Sequence, residues 1–146
     1  MWLVAGALVV TCLGVSRAPA RYRLVLWTIV IIGGVVPWFS MTGHAHWPRI
    51  GWIPFASPPV RLRDIALNLV LYLPFGWFSR PGGRTAFRQV LHASMLACGL
   101  ALTTEATQVF SHGRFPSMTD VVMNSIGAGL GAMGSAGRRP PSRGGS

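Results

Sequence analysis

The chain has 146 residues, 51% of them hydrophobic and only 11% charged, with a mean hydropathy of +0.46. So apolar a composition excludes an ordinary soluble domain, and the length leaves no room for a second domain of normal size. All 13 basic residues are arginines, set against three acids for a net charge of +10; they lie in short connections between apolar runs, which argues for membrane topology and against nucleic-acid contact.

Five apolar stretches follow one another: 2–16, 24–41, 62–79, 90–110 and 118–135. A helix needs about 20 residues to cross the hydrocarbon. The second, third and fourth stretches meet that length, whereas the fifth is rich in small residues and needs neighbours to stay in a membrane. The first is short, and no basic residue precedes it as a signal peptide requires. The expected fold is all-α: a polytopic transmembrane bundle of five membrane-spanning helices, or four if the first lies in the interface. Between the second and third stretches, residues 43–61 mix Trp47, Trp52 and Phe55 with Pro48, Pro54, Pro58 and Pro59. Prolines disfavour a helix there and tryptophans favour the headgroup region, so this segment is expected at the outer interface. With the N-terminus outside, nine arginines fall on the cytoplasmic side and four on the other. Residues 137–146 read as a disordered cytoplasmic tail. Cys12 and Cys98 fall within apolar runs and read as small buried residues.

The three acids, Asp64, Glu105 and Asp120, sit at or inside apolar stretches, where a carboxylate is expensive and marks a candidate functional site. Asp64 is followed by Asn68 and Asp120 by Asn124, a spacing that puts both polar groups on one helix face. Alternating topology brings both pairs, together with Glu105 and Gln108, to the extracytoplasmic end, with Arg114 as the nearest base by sequence. Ala93, Ala97 and Ala101 lead at intervals of four to Glu105, and Gly127 and Gly131 form a GxxxG pair below Asn124. These small residues predict tight packing of the fourth and fifth helices beneath a polar cap. Pairing of copies through Gly127 and Gly131 would reopen an ion-coupled carrier, for which five short spans are otherwise too few. There are plainer readings. Ser117 suits an N-cap with Asp120 as the N3 acid of a capping box, and Asp64 adjoins Arg61 and Arg63. Neither covers the asparagines one turn deeper. Glu105 has no basic residue three or four positions away. His44, His46, His92 and His112 read as ordinary residues, those in loops solvated, and Tyr72 and Pro74 as packing and a kink.

The linked motifs Arg63-Asp64-Ile65-Ala66-Leu67-Asn68, Leu73-Pro74-Phe75-Gly76, Glu105-Ala106-Thr107-Gln108, and Arg114 with Asp120-Val121-Val122-Met123-Asn124 and Gly127-Ala128 resemble the VanZ-like family of bacterial membrane proteins. Ile53-Pro54-Phe55 resembles an upstream element of that family. The resemblance covers 51–131 and implies a single VanZ-like transmembrane domain over 1–136 in the plasma membrane. Gly51 stands where the family usually has Asn, and Ser117 and Thr119 stand where it often has further acids. The family's namesake is associated with low-level resistance to the glycopeptide teicoplanin. This implies an outer-leaflet carboxylate and amide site, Asp64, Asn68, Glu105, Gln108, Arg114, Asp120 and Asn124, that meets membrane lipids and a lipophilic glycopeptide or lipid-linked envelope precursor. No cofactor is expected, although the carboxylates leave a divalent cation open. No nucleophile–base pair is evident, which favours a non-catalytic role. The alternatives are an intramembrane enzyme acting on a lipid or polyprenyl head group and an ion-coupled transporter subunit.

Overall fold

The computed structural model describes residues 2–56, 62–79 and 85–136; the expected tail at 137–146 and Arg61 lie outside them. The elements are α1 (Trp2–Arg17), α2 (Ala20–Val35), α3 (Leu62–Phe78), α4 (Ala86–Gln108) and α5 (Met118–Ala136), with one 3-10 turn at Trp47–Arg49. Among the described residues there are no strands, only two isolated bridges.

Prolines set the first boundaries. Pro19 precedes α2 with an extended ψ of 140°, and Arg23 Nε donates to the Ala18 carbonyl at 2.8 Å, closing the turn after α1. Helix α2 stops at Val35 rather than continuing to 41, because Pro37 pushes Val36 into extended backbone, φ −70° and ψ 127°. Helix α4 begins at Ala86, ahead of the expected 90, because Thr85 acts as N-cap, its hydroxyl accepting from the Arg88 N–H.

Helix α5 packs against both α3 and α4, α2 lies on α3, and α1 lies on α2. The core collects Trp27 and Ile31 from α2, Tyr72 and Phe75 from α3, Ala97 and Ala101 from α4, and Val121 and Ala128 from α5. Trp27 is fully enclosed, and its indole N–H donates to the Leu71 carbonyl at 2.9 Å. That carbonyl adjoins the one at Val70, which Pro74 leaves without its helical donor.

The expected glycine seam exists but faces a different partner. A Cβ on Gly127 would lie 2.7 Å from the Leu69 carbonyl oxygen; one on Gly131 would collide with the Leu73 carbonyl, and one on Gly76 with the Ala128 backbone. Gly127 and Gly131 therefore seat α5 on α3 rather than on α4. They are buried within the chain, against Leu69 and Leu73. Contact with α4 runs instead through Gly129, which faces Ser94 and Val90, and through Ser94 Oγ, which donates to the Ser125 carbonyl at 3.1 Å. The facing positions 69 and 127, 73 and 131, and 77 and 134 rise together, so α3 and α5 run parallel.

No helix among the described residues is long and apolar enough to cross a membrane. The outward faces are nonetheless apolar: Val10 is 70% exposed, Ile29 59%, Met95 64% and Met133 58%.

Candidate functional site

The parallel register of α3 and α5 brings the two D-x3-N motifs side by side. Asp64 and Asp120 are close enough to repel one another, and Asn68 offers its side-chain amide to the Asp120 carboxylate. One turn deeper on α5, Asn124 is only 3% exposed, and its Oδ1 is buried without a hydrogen-bond partner. The same face of α3 continues from Asn68 to Tyr72, which is fully buried. Its hydroxyl lies by Thr104 and Glu105 without a well-formed hydrogen bond, and Thr104 donates its own hydroxyl to the Ala101 carbonyl at 2.9 Å.

Glu105 is buried, and its Oε2 accepts the Ser117 N–H at 2.8 Å. Ser117 does act as N-cap of α5, its Oγ accepting the Thr119 N–H at 3.2 Å. In a capping box the acid at N3 accepts from the N-cap N–H. Here Glu105 of α4 takes that place, so Asp120 is not the reciprocal acceptor and is left facing Asn68 and Asp64. Gln108 points elsewhere: its Nε2 reaches the Val35 carbonyl at 3.5 Å and ties the end of α4 to the end of α2. Arg114 is exposed on the connection between α4 and α5 and attracts Glu105 and Asp120 through space. The seven predicted residues thus divide. Asp64, Asn68, Asp120 and Asn124 line the α3–α5 pair, Glu105 stands beside them with one oxygen committed, Gln108 is a tie between helices, and Arg114 lies at the rim.

The segment between α2 and α3 is strapped across the connection between α4 and α5. Backbone hydrogen bonds join His46 N to the Val109 carbonyl at 2.9 Å, Gly51 N to that of Pro116 at 2.9 Å, and Met118 N to that of Gly51 at 3.0 Å. Side chains add Ser40 Oγ to Ser111 Oγ at 2.8 Å and Arg49 to the His112 carbonyl at 3.2 Å. Thr119 Oγ1 accepts the Phe55 N–H at 2.9 Å, and Phe55 itself holds a φ of 62°, a left-handed backbone that a bulky side chain rarely adopts. His46 is not the solvated loop residue expected. Its ring lies 4.8 Å from that of His112, its Nε2 is buried without a partner, and desolvation, then the charge of Arg49, holds its pKa below the ordinary value. Among the described residues no three His, Cys, Asp or Glu side chains are grouped to hold a metal.

Tyr72 is the contributor that sequence reasoning assigned to packing alone, although its place four residues beyond Asn68 continued the Asp64 and Asn68 face. Thr104 and Phe55 gave no comparable signal. A family model described as VanZ/LLP1 matches residues 5–136 of the chain. No curated protein and no solved structure matches it.

Proposed function

The chain belongs to the VanZ/LLP1 family, and on that premise we propose that it is a multi-pass protein of the bacterial plasma membrane which binds a lipophilic or lipid-linked envelope ligand where its two D-x3-N motifs meet. The observation that carries the reading is the buried, unpartnered Oδ1 of Asn124 beneath the adjoining carboxylates of Asp64 and Asp120. Buried polar atoms are nearly always satisfied, and an orphan beside two like charges is poised for a bound group. We read the role as binding rather than catalysis, because the most buried carboxylate, Glu105, is already engaged by the backbone.

The outward apolar faces support burial of the bundle in lipid. Helices α1, α2 and α3 have 16, 16 and 17 residues, short of the roughly 20 a span usually needs, a mismatch that local bilayer thinning absorbs at modest cost. Helix α4 has 23 residues, but Thr103, Thr104, Glu105, Thr107 and Gln108 dilute its last two turns, and the glycines dilute α5. In α5 the residues that lower hydropathy are those that build the seam, and in α4 they include Glu105 beside the site. The arginine distribution supports an orientation with the N-terminus outside, the C-terminus in the cytoplasm and the site at the outer leaflet. There it would meet an acylated glycopeptide of the teicoplanin type or a lipid-linked precursor.

The test is expression in a teicoplanin-sensitive host, with wild type and Asp120→Ala compared at matched membrane abundance. Wild type is expected to raise the inhibitory concentration and Asp120→Ala to lose the increase. Equal protection by the two would refute the site.

A further inference from the structure

Two carboxylates and an unpaired carbonyl oxygen at this site say what kind of head group it takes. Asp64 and Asp120 present carboxylates on adjoining parallel helices, and Asn124 presents a buried carbonyl oxygen one turn below them. Asn68 supplies a donor to Asp120, while Arg114 is exposed on the connection and acts on that carboxylate only through space. Two like charges held together beside an unpaired acceptor are costly unless a cation or a cluster of N–H donors enters.

We propose that the site receives the primary ammonium head group of an amphiphile, its three N–H donors divided among the Asp64 and Asp120 carboxylates and Asn124 Oδ1. A primary ammonium suits this set in the sign of its charge and in its donor count, because it carries three N–H groups and no acceptor. Its hydrogen bonds to carboxylates are the strong, charge-assisted kind. Arg114 at the rim suits an anionic group next to the amine, such as the phosphodiester of an aminophospholipid. A quaternary ammonium has the same charge but no N–H, and would leave Asn124 unsatisfied. An anionic head group would meet two carboxylates. The inference rests on the proposed binding role and specifies its ligand class.

The experiment is native mass spectrometry of the full chain in detergent micelles. The probes are short-chain phosphatidylethanolamine, phosphatidylcholine and phosphatidylglycerol, and magnesium chloride alone. Phosphatidylethanolamine is expected to bind about tenfold more tightly than phosphatidylcholine, the loss expected when a charged hydrogen bond goes unmade. Asp120→Asn should erase that preference, and the exposed α5 variant Met133→Ala should keep it. Because the comparison of head groups is made on the wild-type protein, it survives any failure of a variant to fold. Equal binding of all three lipids that still depends on Asp120 would overturn the ammonium inference and leave the binding role standing. Binding of magnesium that displaces phosphatidylethanolamine would make this a metal site and overturn the inference. Failure of every lipid to bind would remove the binding role itself.

Discussion

Helices α3 and α5 lie side by side along their whole contact, yet the two ends of that contact are built from opposite materials. At one end Asp64, Asn68, Asp120 and Asn124 face each other with an acceptor left unpaired. At the other, Gly76, Gly127 and Gly131 admit the backbone of the neighbouring helix so closely that no side chain fits between. The glycines set the register, and the register puts two identical D-x3-N motifs in step. Stability is therefore expected to concentrate in the glycine end and ligand recognition in the polar end.

The largest effect should come from breaking the glycine end. Gly131→Val would drive a branched side chain into the Leu73 carbonyl, where the obstacle is backbone and cannot turn aside. Overpacking of a tight core costs about 1–3 kcal/mol and more where backbone must move. Thermal unfolding in detergent should show a clearly lowered midpoint, and an unchanged midpoint would mean that α3 and α5 are not in close contact.

Glu105 tests the boundary between the two ends. Glu105→Ala leaves the Ser117 N–H without its acceptor and is expected to cost about 1–3 kcal/mol. Glu105→Gln keeps an acceptor oxygen and should recover most of that loss. If alanine and glutamine destabilise equally, the carboxylate's role is not the bond to Ser117.

Asn124→Leu should separate the ends cleanly. Replacing a buried amide whose Oδ1 is unpaired by an apolar group of similar volume is expected to change stability by less than about 1 kcal/mol, or to raise it, while ligand binding is lost. A strong destabilisation would show that the amide has a structural partner instead.

The smallest effect is expected at the strap. His46 has its pKa lowered by desolvation and by Arg49, His112 and His44, so its folded form favours the neutral ring. For a base whose folded pKa is depressed, the unfolded chain takes up the proton first. The strap's stability is then present above the ordinary histidine value and declines as pH falls through it. Protection factors of the amides across 40–56, corrected for the intrinsic pH dependence of exchange, should fall from pH 8 to pH 5, and His46→Phe should reduce that dependence. An equal loss of protection in the variant would assign the effect to other groups.

Much of this was legible in the sequence, and the reasons for what was not are specific. The five apolar runs marked the helices, and alternation of direction alone placed Asp64, Glu105 and Asp120 at one end. Ser117 was legible as a cap because its bond is local. Glu105 as the acceptor for Ser117 was not, since the two are twelve residues apart in the chain and meet only when α4 and α5 pack. The GxxxG spacing announced close approach without naming the partner. The partner is α3 because Gly76 answers across the seam, and nothing in the Gly127 and Gly131 spacing encodes that. The strap across 40–56 is held largely by backbone hydrogen bonds, which side-chain patterns do not announce. The early end of α2 was written in Pro37, whose effect on the preceding residue outweighs the apolar run that continues past it.

The in-step register of the two motifs is tested most directly by disulfide formation in membranes. In a background of Cys12→Ala and Cys98→Ala, paired cysteines are introduced at Asp64 and Asp120, or at the staggered positions Asp64 and Asn124, and crosslinks are read by mass spectrometry of the cleaved protein. Rapid crosslinking of 64 with 120 and little of 64 with 124 are expected. Crosslinking of 64 with 124 in place of 64 with 120 would shift the motifs by a turn and contradict the single site.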